Sequence, residues 1–156
     1  MEDLRWIKRA NVKRSWPDKI SIEILEYKPV AIWNGRYFIT PEGELIEISG
    51  DEEYAQSLNQ LYGPVGDHVL VMNTYIQLAD KLHKNEIYIH KLKLNGRRSI
   101  ELVLEDDVLI IVGRDNVQSR IDRLINYYDA LKAQRVKPIG KIDLRYTNGF
   151  SVASNV

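Results

Sequence analysis

Punctuation limits this chain most: Asn-Gly or Pro recurs so often that few apolar runs outlast a short strand before the backbone must turn. Residues 19–27 alternate, with Ile20, Ile22 and Ile24 on one face and Ser21 and Glu23 on the other, the period-two pattern of a half-buried strand. Pro17-Asp18 opens this strand and Pro29 closes it. Residues 30–33 and 36–40 flank Asn34-Gly35, which readily takes positive φ at both turn positions and predicts a tight hairpin. Glu42-Gly43 predicts a looser hairpin into residues 45–48. A further hairpin joins residues 87–94 to 99–104 through Asn95-Gly96. Asp106-Asp107 then turns the chain into residues 108–112, five consecutive aliphatics that predict a strand covered on both faces inside a sheet. The chain closes with a strand over residues 141–146, a turn at Asn148-Gly149 and a last strand over 150–153. A chain that ends in a strand presents an edge for pairing.

Three helical runs interrupt the strands. Ser49 and Glu52 have the spacing of a capping box, and Tyr54, Leu58 and Leu61 follow at helical period until Gly63-Pro64. A second helix begins near Asp67 and carries Leu70, Tyr75, Ile76, Leu78, Ala79 and Leu82 as its apolar stripe. A third opens over residues 115–118. In it Val117, Ile121, Leu124, Ile125, Tyr128 and Leu131 face inward, while Arg120, Asp122 and Arg123 stay outside. The expected class is α+β: a mostly antiparallel sheet packed by about three helices. At 156 residues the chain is long enough to bury a real core.

The inventory of reactive groups is thin. With 22 basic and 22 acidic residues the net charge is zero, which argues against nucleic acid as a partner. The first 20 residues hold six cations against three acids, a solvated basic surface. No cysteine occurs, which excludes disulfides, thiolate metal sites and thiol nucleophiles. His68, His83 and His90 include no pair at the i, i+4 spacing of a helical metal site. The paired acids Glu52-Glu53 and Asp106-Asp107 fall at a helix start and a hairpin tip, where solvated carboxylates are expected on structural grounds. No phosphate-binding glycine pattern or nucleophile elbow is found. Trp6, Trp16 and Trp33 read as packing residues. The sequence predicts surfaces and no reaction site: no catalytic residue, no cofactor, no metal. No run of about 18 apolar residues occurs.

Five segments in order carry a resemblance: Ser15-Trp16-Pro17-Asp18; Glu26-Tyr27-Lys28-Pro29-Val30-Ala31-Ile32-Trp33; Leu61-Tyr62-Gly63-Pro64-Val65-Gly66; Val112-Gly113-Arg114; and Ile142-Asp143-Leu144-Arg145-Tyr146-Thr147-Asn148-Gly149-Phe150. Together they closely resemble the FtsQ/DivIB family of bacterial cell-division proteins over essentially the whole chain. The resemblance implies the C-terminal part of a POTRA domain in residues 1–28 and the family's β domain in 29–156. Residues 4–7 would end a POTRA helix, and 11–15 and 19–27 would be its last two strands. The cytoplasmic tail, the single membrane-spanning anchor and the first half of POTRA are expected ahead of Met1, placing this region in the periplasm at the inner membrane.

The implied role is a non-catalytic divisome scaffold that binds the FtsB-FtsL pair by strand addition near its C-terminal edge and so links to septal peptidoglycan synthesis. The resemblance puts partner contacts at Arg114, Arg145, Tyr146, Asn148 and Gly149. Residue chemistry agrees: an edge supplies main-chain hydrogen bonds, Tyr146 a rigid amphipathic surface, and Arg114 and Arg145 planar forks for carboxylates. Residues 151–156 lack the tryptophan that the family often carries there. The alternatives are a POTRA-type chaperone module that accepts extended polypeptides generally, and a hydrolase using Asp106 or Asp107 with His90.

Overall fold

The computed structural model describes residues 6–134 and 137–154. Eleven strands and three helices are present among them: β1 (Ile7–Ser15), β2 (Lys19–Glu26), β3 (Ala31–Trp33), β4 (Tyr37–Ile39), β5 (Leu45–Glu47), α1 (Glu52–Gln56), β6 (Asn59–Tyr62), α2 (His68–His83), β7 (Ile89–Leu94), β8 (Ile100–Leu104), β9 (Leu109–Gly113), α3 (Val117–Ala133), β10 (Ile139–Asp143) and β11 (Ser151–Ser154). β1 and β2 form a separate antiparallel hairpin, and the other nine strands form one sheet in the order β11-β10-β9-β8-β7-β6-β3-β4-β5. The α+β expectation holds. Five pairings in the large sheet are antiparallel, and three are parallel: β3 with β6, β6 with β7 and β9 with β10. Two of the parallel pairs are the β6-α2-β7 and β9-α3-β10 crossovers, because a parallel neighbour can be reached only by carrying the chain across the sheet.

α2 and α3 therefore lie on one face of the sheet, where Val71, Met72, Leu78, Leu82, Ile121, Leu124 and Tyr128 are buried. Opposite them, Leu61, Leu92, Leu102, Ile110 and Ile142 line up across five adjacent strands, each fully buried. Leu70 and Ile76, expected in the α2 stripe, are instead exposed; Val71 and Met72 take the inward positions. β9 lies between β8 and β10, and Ile110, Ile111 and Val112 are all buried, as expected of an inner strand.

Turn chemistry matches the sequence closely. Asn34 and Gly35 both take positive φ, and Arg36 N–H closes the turn on the Trp33 carbonyl. At the Asn95-Gly96 hairpin the positive φ falls on Arg98, while the Asn95 carboxamide accepts from the Arg97 and Ser99 N–H groups.

Two expectations fail. The first helix covers only Glu52–Gln56; its N-cap is Asp51 without a side-chain bond, and Glu52 reaches only the Gly50 N–H, so the Ser49 box does not form. Leu61 lies in β6, because pairing between β3 and β7 with complete burial outweighs the helical spacing. The helix end expected over residues 4–7 falls at Trp6, whose backbone is 3₁₀-helical, and Ile7 then opens β1; Leu4 and Arg5 lie outside the described residues. Second, the alternating strand is found as β2, but Ile20, Ile22 and Ile24 remain more than half exposed. They share a face with Ala10 and Val12 of β1, and no described element packs on that face. The hairpin touches the rest of the fold at its base, where Trp6 packs tilted against Phe38 at 5.0 Å and edge-on against Tyr54 at 5.9 Å, and Lys8 pairs with Glu44. Trp33 is buried and packs as expected, whereas Trp16 at the hairpin tip is 85% exposed.

Candidate partner-binding edge

β10 ends at Asp143, not at Tyr146 as the alternating pattern suggests. The chain leaves the sheet at Leu144, turns over residues 146–148 and returns as β11, antiparallel to β10 with Ile142 opposite Val152 and Asp143 opposite Ser151. β11 is thus the outermost strand on one side. Its sequence, Ser-Val-Ala-Ser, carries no charge.

Of the five residues expected to meet a partner, Arg145, Tyr146, Asn148 and Gly149 are brought together by this turn. Tyr146 is 58% exposed and forms part of two adjoining hollows. One, of about 400 Å³, is lined by residues 146–151; the other, of about 300 Å³, by Asp143, Arg145 and Tyr146. Phe150 turns inward onto Tyr127 of α3, with ring centroids 5.9 Å apart. Arg114 follows Gly113 at the end of β9, the strand beside β10, so it projects from the same end of the sheet.

The two arginines are not equivalent. The Arg145 guanidinium grips the Asp143 carboxylate with Nε at 3.0 Å and Nη2 at 2.7 Å, and the Arg145 N–H also donates to Asp143. Arg145 was expected to offer an open fork, but part of it is already spent within the chain. Asp143 is nearly buried, and this fork holds its carboxyl below the usual carboxylate range against the opposing push of burial. Arg114 is 66% exposed and only brushes the neighbouring Asp115 at 3.4 Å. Of the two, Arg114 has the less committed guanidinium.

Sequence reasoning missed Arg120 and Arg123. Expected outside, both are partly buried and reach from α3 under the terminal segment. Arg120 Nη1 donates to the Val112 carbonyl at 2.8 Å and Nη2 to that of Arg145 at 3.3 Å. Arg123 Nη1 donates to the carbonyls of Tyr146 and Thr147, and Nη2 to that of Leu144. Their i, i+3 spacing was the available signal, since it places both on one helical face.

The hydrolase constellation is differently disposed. Asp106 accepts from the Tyr128 hydroxyl and from Lys132 Nζ at the opposite end of the sheet. Burial raises the Asp106 pKa, but Lys132 and Tyr128 more than offset it and hold the carboxyl below its ordinary value; burial and Asp106 in turn push Tyr128 up.

A β-hairpin followed by a helix-backed α+β sheet, with the chain's last strand as its rim, defines the structural class. The family model described as cell division protein FtsQ/DivIB, C-terminal, matches residues 31–145, and that of the POTRA domain, FtsQ-type, matches residues 1–27. The chain belongs to the FtsQ/DivIB family. It is 32% identical over 152 residues to the cell division protein FtsQ of Escherichia coli strain K12, covering 96% of this chain and 55% of that protein. Against the FtsQ of Haemophilus influenzae the identity is 32%, with 97% and 60% covered. Against that of Shewanella oneidensis it is 34%, with 97% and 57% covered. The chain therefore spans little more than half the length of these relatives. Among the described residues no helix is long and apolar enough to cross a membrane.

Proposed function

We propose that this protein is a non-catalytic assembly module of bacterial cell division, working on the periplasmic side of the inner membrane, and that it takes up a strand of the FtsB-FtsL pair on β11. One observation carries the reading: the outermost strand of a nine-stranded sheet is uncharged and continuous with an exposed Tyr146, beside a largely uncommitted Arg114. A partner strand laid on such a rim gains main-chain hydrogen bonds, and an acidic side chain next to it finds the Arg114 fork. The phenol ring contributes contact area at little cost in side-chain entropy. Arg145, tied to Asp143, acts chiefly by presenting its planar face and holding the turn.

Calorimetry with an FtsB-FtsL periplasmic fragment tests this. Association is expected, and Arg114→Glu and Tyr146→Ala should each weaken it by at least about tenfold, or roughly 1.4 kcal/mol, with little change in Tm. No association by the folded protein down to tens of micromolar (roughly −6 kcal/mol) rejects the reading. Equal affinity for unrelated extended peptides would favour the chaperone-type alternative, to which the β1-β2 hairpin lends edges that pair with no other strand among the described residues.

A further inference from the structure

We infer that Arg120 and Arg123 act as a positioning clasp that orders residues 144–147, and through them β11, for strand uptake. The inference rests on the assembly reading above for its purpose, though its geometry stands alone.

After a last ladder bond from the Leu144 N–H to the Ile111 carbonyl the chain leaves the sheet, and its carbonyls need donors from elsewhere or must turn to water. α3 supplies those donors. Four successive carbonyls, of Leu144, Arg145, Tyr146 and Thr147, are taken by the two guanidinium groups, and a fifth, of Val112, ties the clasp to the end of β9. The stretch of backbone bearing Arg145 and Tyr146 is therefore held from beneath by a helix, while the Tyr146 ring stays largely exposed and the Arg145 side chain runs past Gly113 to Asp143.

Gly113 gives an independent indication. Its φ is +84°, and a Cβ there would sit 2.6 Å from Arg120 Nη1 and 3.1 Å from Arg145 Cγ. The backbone of β9 makes room for the clasp at the point where the Arg145 stem crosses it. Arg123 also keeps a buried Nε with no hydrogen-bond partner. Such an orphan is uncommon, and it follows from aiming both terminal nitrogens of one fork at three carbonyls. Lysine would not substitute, because an ammonium is a single point and cannot span them.

A flexible rim must lose conformational freedom when a partner strand is added, and that cost is subtracted from affinity. A rim already held in place avoids most of it. The clasp thus strengthens binding without touching the partner.

The test is amide hydrogen exchange on the free protein, with Arg123→Gln and, as the milder variant, Arg120→Lys. Exchange should quicken by about tenfold or more over residues 144–154 and remain unchanged in α2 and β7, the pattern of a local opening. Affinity for the FtsB-FtsL fragment should fall by about tenfold. Unchanged exchange at 144–154 overturns the clasp, and so does an equal rise throughout the molecule, which would make the arginines general supports. Local loosening with undiminished affinity overturns its role in binding. If the wild-type protein itself fails to bind, the assembly reading falls, while the exchange profile still decides whether the clasp orders this segment. Should Arg123→Gln fail to fold, Arg120→Lys is read by the same criteria.

Discussion

The two rims of the large sheet are built on opposite principles. At one side β5 is three residues long, Leu45–Glu47, and is guarded by charge: Glu47 pairs with Arg36 at 3.0 Å, and neighbouring Glu44 pairs with Lys8. Trp6, Phe38 and Tyr54 close around this end. At the other side β11 is uncharged and small in its side chains, and the segment leading to it is held from below by arginine donors. Charged, short strands discourage edge-to-edge pairing, and an ordered neutral strand invites it. One sheet thus carries a short charged edge and a neutral, supported one, and on the proposed reading only the second takes up a partner.

The largest effect should come from Gly113→Ala. A side chain at φ +84° is strained, and this one also collides with Arg120, so a loss of about 1–3 kcal/mol is expected in denaturant unfolding, with weaker partner binding. An equal loss from Gly35→Ala, whose Cβ meets nothing within 4 Å, would show that φ alone matters and that the clasp does not.

Next is acid. The Asp143 carboxyl is held down by Arg145, and Asp106 is held down by Lys132 and Tyr128 despite burial. A carboxyl depressed in the folded state contributes stability that is complete above its unfolded pKa of about 3.9 and fades as pH falls toward the folded value. Tm should therefore hold steady between about pH 5 and 8 and drop below about pH 4. Asp143→Asn should lower Tm near neutrality and flatten part of that acid limb, with the change concentrated at the β11 rim. A parallel, undiminished acid limb in the variant would remove Asp143 from the account.

The smallest effect belongs to the defended rim. Breaking the exposed Arg36–Glu47 pair by Arg36→Ala should leave Tm almost unchanged. Glu47→Val, which removes the charge, should instead promote self-association in sedimentation while leaving FtsB-FtsL binding intact. If it impairs that binding, the two rims are not functionally distinct.

Much of the site could be read along the chain. The words around Gly113-Arg114 and Arg145-Tyr146 fall together at one end of the sheet, and the terminal strand was visible as a short run after Asn148-Gly149. What could not be read was commitment: Asp143 closes β10 and Arg145 lies two residues beyond it, and only the finished fold shows the two side chains joined. Arg120 and Arg123 looked like solvent-facing charges because helical period gives a direction and not what lies there.

Local chemistry settled the hairpins, the inner strand at Ile110–Val112 and the α2 and α3 helices, since turn residues and apolar period act over a few residues and need no distant partner. Tertiary structure decided the rest. It made Leu61 a strand residue, because pairing between β3 and β7 outweighs a helical spacing. It left the isoleucines of β2 uncovered, since alternation specifies a face but not what packs on it. It also brought α3 beneath the last turn, where long-range packing found a use for donors that the sequence had left unassigned.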